Sequence, residues 1–457
     1  AYTHTNTLTE GNLKSDSPVD WSGRLGTFSV NSGKWYWECR PEFVDANRGI
    51  NFGIVRDDAE PDEQLICRIN GGIEYAGDGV LKVDNSNTDT YALWPLEDNT
   101  IMAAALDLDS ATNTIKFYKN NSLQGTVDLT ANFTGTGVVP VFSAWQLYWN
   151  VNFGQDSSFA GLETAQGNAD ENGYGDFYYT PPSGYVALCT DNLDTPAVTP
   201  SEHFNTILYD DGDGAKTGVG FQPDLVWLKS RGSVIHNRLT DAVRGVTKAT
   251  TISDTAIETT HANGLTAFGA DGFTVGTDSE YSDQTGDGMV AWNWKANGSG
   301  SANTVGSSAS TVSVNTDAGF SIVKYTGTGS TATVGHGLSK APEWIIIRNL
   351  DTLAGTLVYY NAGGAMDETD GLYMHSTLAK IDAATFFNDT AASSTVFTIE
   401  SHSNCNTNTD DYIAYCFHSV DGYSKVGSYR GNADADGTYV YTGFRPAWVM
   451  IKSISNS

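Results

Sequence analysis

The chain has 457 residues, enough for two to four domains, and 40% of them are hydrophobic, so it can form real cores. Its formal net charge of −29 repels phosphates and anionic membranes, which argues against nucleic-acid and membrane partners. No apolar run is long enough for membrane insertion, and the five cysteines lack zinc or disulfide spacing. Abundant glycine, 11% aromatic residues and frequent alternation of apolar with polar residues predict an all-β protein.

The first segments of the chain predict a polar arm followed by closely spaced strands. Residues 1–20 have no hydrophobic period and are expected to form an N-terminal arm or a first edge strand. Strands and one hairpin are then predicted at Gly33–Phe43, Arg48–Val55, Thr100–Asp109 and Thr114–Val127. Many short strands at this spacing are typical of an antiparallel β-sandwich.

Four motifs in this region carry a family resemblance. The segments "SGKWYWE", "INFGIV", "MAAALDLDSATNTIKFYKNN" and "WNVNFGQ" resemble the SPRY (B30.2-like) family, and the resemblance covers Trp21–Gln155. Asn121 occupies the hairpin turn where that family usually has glycine, and asparagine also tolerates a positive φ. The resemblance implies a SPRY-like sandwich over residues 21–196, including a C-terminal extension, that binds ligands and has no enzymatic activity.

The same resemblance implies binding loops at one end of the sandwich. They are expected at Arg56–Glu63, Asp84–Trp94 and Ala144–Trp149. The candidate ligand-binding residues are Arg56, Asp57, Asp58, Trp94, Trp145, Tyr148 and Trp149. The aromatic residues of the third loop also alternate along the chain, so the alternative that some of them belong to the core stays open.

A second pattern occurs three times after residue 200. The segments "GFQPDLVWLKSR", "SKAPEWIIIRNL" and "GFRPAWVMIKSI" each predict a strand that follows a proline and ends in a basic residue. We therefore expect β-sandwich-like repeat domains at residues 197–300 and 301–432, and the start of a third at residues 433–457. Since 25 residues are too few for a third repeat, we also expect the sequence to be incomplete there.

The segment "YDDGDGAK" offers a candidate metal site at Asp210, Asp211 and Asp213. These residues do not fit the spacing of an EF-hand, and the corresponding segment "YTGTGSTA" has no carboxylate, so an ordinary glycine-rich turn is favoured. No cofactor is predicted, and calcium remains possible without support from the spacing. No nucleophile elbow, HExxH or phosphate-binding loop is present, so enzymatic activity is not expected.

The order of these segments resembles virion proteins of marine tailed phages, usually described as tail fibres or structural proteins. The resemblance implies an extracellular, virion-attached homotrimer that binds a host surface glycan or protein and other virion proteins. Two alternatives stay open: a capsid decoration or head-fibre protein, and a lectin or adhesin on a bacterial cell surface.

Overall fold

The computed structural model describes most of the chain. The described residues are 8–10, 13–15, 22–26, 28–42, 49–56, 72–76, 79–83, 86–90, 99–129, 133, 137–145, 147–193, 195–210, 212–282, 286, 288–362, 366–429, 431, 440 and 442–455. They form two compact units, of which the first comprises residues 1–194 and 429–443, and the second residues 195–428 and 444–457. Within the described residues, no helix is long and apolar enough to cross a membrane.

The first unit is a β-sandwich whose strands pair antiparallel, except for one short strand that pairs parallel. Its strands are β1 Leu8–Thr9, β2 Lys14–Ser15, β3 Ser22–Leu25, β4 Lys34–Glu42, β5 Gly49–Arg56, β6 Gly72–Ala76, β7 Val80–Val83, β8 Ser86–Thr90, β9 Met102–Asp107, β10 Thr114–Lys119, β11 Ser122–Asp128, β12 Val138–Trp145, β13 Tyr148–Asn152 and β14 Val186–Ala187. One sheet has the order β1-β2-β13-β4-β9-β10-β11, with β14 also paired to β4, and the other has the order β3-β12-β5-β6-β7-β8. The predicted all-β fold class is therefore confirmed.

The alternation along β4 places its two faces in different surroundings. Trp35, Trp37 and Cys39 lie in the core between the two sheets, as the pattern predicts. The opposite face is covered as well, because Tyr36 packs on Phe177 with ring centroids 5.1 Å apart. The extension after β13 therefore covers a face of β4 that an ordinary two-sheet sandwich would expose to water.

The second unit contains the remaining strands and one short helix. These elements are β15 Phe204–Tyr209, β16 Gly214–Thr217, β17 Leu225–Ser230, β18 Arg238–Asp241, β19 Lys248–Ala249, β20 Thr259–Thr260, β21 Leu265–Gly269, β22 Gly272–Val275, β23 Met289–Trp294, β24 Ser301–Asn303, β25 Ser310–Asn315, β26 Phe320–Thr326, β27 Ala332–Gly335, β28 Trp344–Asn349, β29 Leu357–Tyr360, β30 Asp370–Tyr373, β31 Ile381–Asp382, α1 Ala384–Phe387, β32 Val396–Ile399 and β33 Asp411–Phe417. The strands predicted after Pro223 and Pro342 are present as β17 and β28.

One strand order occurs twice in this unit. The path β15-β23-β17-β18 corresponds to β26-β33-β28-β29, and the pair β16-β22 corresponds to β27-β32. The registers agree too, since Leu225 pairs with Trp294 and Trp344 pairs with Phe417. We call these the first and second path; their interpretation as tandem repeat domains stays a prediction.

The two paths share an aromatic layer. One face of each path covers its own small core, with Val226 on the first path and Ile345 on the second. The other faces meet in a common cluster, to which the paths contribute Trp227, Trp294, Ile346 and other residues. Contacts between equivalent faces therefore join the two paths.

The prediction of a third strand, in the segment "GFRPAWVMIKSI", is wrong for the described residues. No strand occurs among residues 442–455, although Trp448 and Met450 pack against the shared aromatic layer. Val449 and Ile451 are exposed at 63% and 67%. The physical reason is pairing: β17 and β28 each lie between two antiparallel strands, and this segment has no ladder partner in the described part of the chain.

Candidate functional site

The register of β5 and β12 separates the predicted binding loops. Arg56 pairs with Val138, and Trp145 pairs with Gly49 at the other end of the same ladder. The two positions are seven residue steps apart along the ladder, which is about 23 Å. The expectation that the loops gather at one end of the sandwich is therefore wrong for Arg56 and Trp145, because β5 ends where its antiparallel neighbour begins.

Of the other candidate ligand-binding residues in the sandwich, three lie outside the described part of the chain and one lies in the core. Asp57, Asp58 and Trp94 lie outside the described residues. Trp149 is only 2% exposed, and its ring stacks on Phe142 with centroids 5.3 Å apart. Its assignment to a ligand site is wrong, because its position on β13 faces the space between the sheets.

Tyr148 and Trp145 are half-buried and lie at the end of the sandwich where β12 turns into β13. The Lys14 ammonium lies 5.5 Å from the centre of the Tyr148 ring and 2.8 Å from a carboxylate oxygen of Glu42. One face of the Tyr148 ring is therefore occupied by a cation–π contact. We call this region the aromatic end.

A cleft of about 340 Å³ lies at the opposite end of the sandwich. Three segments form it: the start of β4, the turn between β9 and β10, and the extension around β14. Its lining residues are Ser32, Gly33, Lys34, Trp35, Asp109, Gly184, Val186 and Asn192. The motif analysis did not single out this site, and we call it the β4 cleft.

Charged groups are fixed at the mouth of the β4 cleft. The Lys34 ammonium lies 2.9 Å from Asp107 Oδ2, and this hydrogen bond raises the pKa of Lys34. Partial burial works to raise the pKa of Asp107, but hydrogen bonds from Lys34 and Ser110 outweigh it and lower that pKa. Both groups are therefore charged at neutral pH, and the Lys34 side chain is held in one direction.

Local backbone geometry places the tryptophan of the cleft. Gly33 has a φ of +91°, and a Cβ there would lie 2.7 Å from the Trp35 ring, so only glycine fits. The Gly33 N–H donates to Asp109 Oδ1 at 2.6 Å, and the indole N–H of Trp35 donates to the Ser32 carbonyl oxygen at 2.7 Å. The "SGKW" motif is thus tied to the β9–β10 turn.

The extension supplies the other wall of the cleft. Asp170 Oδ2 accepts hydrogen bonds from the Ala187 N–H at 2.8 Å and from Asn192 Nδ2 at 2.7 Å. Its Oδ1 accepts from the backbone N–H groups of Asn172 and Tyr174, both at 2.9 Å. One buried carboxylate therefore fixes both the short strand β14 and the Asn192 side chain.

A second buried carboxylate attaches the extension to β4. Glu38 accepts hydrogen bonds from the N–H groups of Tyr178 and Tyr179 at 2.9 and 2.8 Å. It also accepts from Tyr36 Oη at 3.1 Å and from Asn152 Nδ2 at 3.2 Å. Burial outweighs these four hydrogen bonds and raises the pKa of Glu38 to about 7. The attachment of the extension thus depends on a group that titrates near neutral pH.

The candidate metal residues lie at the turn between β15 and β16. Asp210 and Asp213 flank this turn, and Asp211 lies outside the described residues. Within the described residues, neither aspartate belongs to a group of three side chains close enough to hold an ion. A Cβ built on Gly288 would lie 2.8 Å from Asp210 Oδ1 and 3.3 Å from Arg231 Nη1, so a guanidinium lies near Asp210. The candidate metal site at Asp210 and Asp213 stays a prediction.

Comparisons with known proteins identify two regions. Residues 34–156 match the model of the SPRY domain, which confirms that part of the resemblance. Residues 199–457 match a family described as "Domain of unknown function (DUF7483)". No curated protein sequence matches the chain.

Solved structures similar to this chain cover about a third of it. The SPRY domain of human HERC1 is 15% identical with a TM-score of 0.27, and 32% of this chain and 92% of that chain are covered. A human SPRY domain is 12% identical with a TM-score of 0.25, with 32% and 94% covered. The carbohydrate recognition domain of Emp46p in its potassium-bound form is 10% identical with a TM-score of 0.24, with 32% and 83% covered.

The match over residues 199–457 spans more than half of the sequence and includes both paths of the second unit. The chain therefore belongs to the family of the domain of unknown function DUF7483, and in it this domain follows a SPRY domain.

Proposed function

We propose that this chain is a non-enzymatic adhesion protein in which the SPRY domain binds a surface ligand and the second unit is a rigid β scaffold. The observation that carries the proposal is the β4 cleft, whose Lys34, Trp35 and Asp109 belong to the region matching the SPRY domain and whose other wall is the extension after it. Its volume of about 340 Å³ is at the lower end of the range for small-molecule sites. The ligand class that fits best is a surface glycan, bound through a single sugar ring.

The polar groups of the cleft support this ligand class. A sugar ring presents hydroxyl groups that both donate and accept hydrogen bonds, so it needs fixed donors and fixed acceptors around it. Lys34 provides a donor and Asp109 provides a carboxylate acceptor, whereas the amide hydrogens of Asn192 are used by Asp170 and the Ala187 carbonyl oxygen. Each is attached to the sandwich by the contacts described above, so little conformational entropy is lost when a ligand binds.

The second unit supports the scaffold part of the proposal. We interpret its two equivalent paths as an internal duplication, and their shared aromatic layer makes the second unit a rigid support. In this proposal the chain is an appendage of a tailed-phage virion, assembled as a homotrimer and attached to other virion proteins. Three weak glycan sites on one rigid support would then act multivalently.

Glycan-array binding with the full-length chain tests the ligand site. Lys34→Ala removes a donor of the cleft, and we expect about a tenfold loss of glycan binding. Lys14→Ala is the matched control, because it breaks a similar ion pair of 2.8 Å at the aromatic end. Equal binding by both variants and the parent chain, with unchanged unfolding temperatures, would refute the β4 cleft as the glycan site.

The virion location is tested separately by immunogold labelling of purified phage particles. Label at tail appendages supports the fibre assignment, whereas label on the capsid shell would favour a decoration protein. Particles without label would overturn the virion assignment. The proposed glycan site would not be affected, because the glycan array tests it independently.

A further inference from the structure

A histidine and two carboxylates meet beside β22 in the second unit. His261 Nδ1 lies 2.7 Å from Asp278 Oδ2 and 3.6 Å from Glu280 Oε2. The potential ligand atoms of the three residues all lie within 4.8 Å of one another. All three side chains are half-buried, so the group is neither sealed in the core nor fully in water.

Two glycines permit this close approach. The Gly276 N–H donates to the Gly264 carbonyl oxygen at 2.8 Å, and the Asp278 N–H donates to the Asn263 carbonyl oxygen at 3.0 Å. A Cβ on Gly276 would lie 2.5 Å from the Asn263 carbonyl oxygen, and one on Gly264 would lie 2.8 Å from His261 Cβ. The histidine and the carboxylates are therefore positioned by backbone that larger residues would push apart.

The second path shows that the turn does not need its carboxylates. Counting from the equivalent strands β22 and β32, Asp278 corresponds to His402, and Glu280 corresponds to Asn404. The same backbone hydrogen bond forms in both turns. The Tyr281 N–H donates to the Asp278 carbonyl oxygen, and the Cys405 N–H donates to the His402 carbonyl oxygen, each at 3.0 Å. The turn uses a side-chain acceptor at this position, Asp278 Oδ1 or His402 Nδ1, for the N–H two residues further on, and that acceptor need not be a carboxylate.

The orientation of the imidazole ring directs Nδ1 toward the carboxylates. Thr259 Oγ1 lies 3.0 Å from His261 Nε2, and its hydroxyl is within 3.4 Å of the Ala249 carbonyl oxygen, to which it can donate. In the tautomer whose proton is on Nε2, the ring donates to Thr259, and Nδ1 faces Asp278 as an acceptor. Two acceptors 2.7 Å apart need a proton or a metal cation between them.

We propose that His261 Nδ1, Asp278 Oδ2 and a carboxylate oxygen of Glu280 bind a divalent transition-metal ion of the zinc class, with water as the fourth ligand. Zinc bonds of about 2.0–2.1 Å in a tetrahedron place ligand atoms about 3.3–3.4 Å apart. The Nδ1–Oδ2 distance of 2.7 Å is shorter than that spacing, so binding requires a small separation of these two side chains. The Glu280 carboxylate, whose Oε2 lies 3.6 Å from Nδ1, would turn its other oxygen toward the ion. The proposal is independent of the adhesion function.

Arg238 and Thr259 fill the supporting roles around such a site. Arg238 donates from Nε at 3.0 Å and from Nη2 at 2.6 Å to Glu280 Oε2. The guanidinium therefore orients the carboxylate and leaves Glu280 Oε1 for the metal. Thr259 fixes the imidazole through the ring nitrogen opposite the metal, which is the usual arrangement for a histidine ligand.

Calorimetric titration of the chelator-treated full-length chain with ZnCl₂ tests the site. We expect one saturable zinc site per chain, and at least a tenfold weaker affinity for His261→Ala. His402→Ala is the matched control, since it removes a half-buried histidine at the equivalent turn of the second path. Identical titrations for the parent chain and His261→Ala, or no saturable zinc binding by the parent, would overturn the proposal.

A second variant and a second probe keep the test independent of folding. Glu280→Gln retains the size of the side chain and an oxygen for Arg238, and we expect weaker zinc binding with an unchanged metal-free unfolding temperature. Co²⁺ replacing zinc should give the intense visible absorption of tetrahedral coordination. Weak absorption typical of six-coordinate Co²⁺ in the parent chain would contradict the proposed geometry.

Discussion

The Tyr415 hydroxyl donates a 2.9 Å hydrogen bond to Asp241 Oδ2, across 174 positions of sequence. The same carboxylate oxygen accepts from Arg244 Nε at 2.5 Å, and Arg244 Nη2 donates to Tyr415 Oη at 3.1 Å. Asp241 ends β18 in the first path, and Tyr415 lies in β33 of the second. A closed triangle of buried polar groups therefore joins the two paths beside their shared aromatic layer.

We expect Tyr415→Phe to lower the free energy of unfolding of the second unit by about 1–3 kcal/mol, because it leaves Arg244 and Asp241 each without one partner. Chemical denaturation measures the change. Asp241→Asn and the double variant complete a cycle, and the two effects should not add. Additive effects would show that the triangle does not act as one network.

Arg348 and Lys229 occupy equivalent positions on β28 and β17 but have different surroundings. Arg348 is 1% exposed and donates to the carbonyl oxygens of Asp254 at 2.8 Å and Ala354 at 2.7 Å, and to that of Ala256. The half-buried Lys229 ammonium donates to the Ile235 carbonyl oxygen at 2.8 Å.

We therefore expect Arg348→Met to cost about 3–5 kcal/mol, since three carbonyl groups lose their donor. Lys229→Met should cost no more than about 1 kcal/mol. Denaturation curves of the two variants under the same conditions measure the difference. Equal losses of stability would contradict the conclusion that Arg348 stabilises the fold by donating to three buried carbonyl groups.

Trp149 and Trp145 test which aromatic residues near the β12–β13 turn belong to the core. We expect Trp149→Ala to destabilise the first unit by about 3–5 kcal/mol, because it leaves a cavity beside Phe142. Trp145→Ala should cost less, since its side chain is half-buried. Thermal unfolding of the two variants provides the comparison, and a larger loss for Trp145→Ala would reverse the assignment.

Glu38 should make the attachment of the extension depend on pH. Its folded pKa of about 7 lies above the ordinary value of 4.5, so the folded state binds the proton more tightly. This stabilisation is complete below pH 4.5 and decreases as the pH rises through 7, by about 3 kcal/mol in total.

Hydrogen exchange at the Tyr178 and Tyr179 amides, corrected for intrinsic rates, should therefore show less protection at pH 7.5 than at pH 5. In Glu38→Gln, which cannot ionise, this pH dependence should disappear. Equal pH dependence in the variant and the parent chain would exclude Glu38 as its source.

Local patterns predicted the strands well but not their partners. Alternation identified β4, and a proline followed by an apolar run identified β17 and β28, because burial and ladder geometry act along a few consecutive residues. The same pattern at Trp448 did not produce a strand, since a strand also needs neighbours that are distant in sequence. The separation of Arg56 from Trp145 likewise depends on the register between β5 and β12.

The sites illustrate the same limit. Lys34, Asp109 and Asn192 come together through the pairing of β4 with β9 and of β14 with β4, and no local spacing encodes that. Both the "SGKW" and the "DLDS" motif can be recognised in the sequence, but the sequence does not indicate that the two motifs contact each other. His261 and Asp278 are 17 residues apart and form no metal-binding motif, so the sequence does not predict their contact. The aspartates near residue 210 were a candidate metal site only because they are close together in the sequence.

The aromatic layer between the two paths also gives the second unit an optical signature. The Trp227 ring centroid lies 5.6 Å from that of Trp292 and 6.3 Å from that of Trp294, and Trp448 lies 5.5 Å from Trp294. Indole transitions couple at such separations, so the layer should produce near-ultraviolet circular dichroism that isolated tryptophans lack. Trp227 and Trp292 face each other on adjacent strands of the first path. Their signal would therefore persist if the two sheets separated and would vanish only when this sheet lost its strands, so it would report the folding of the first path without an added label.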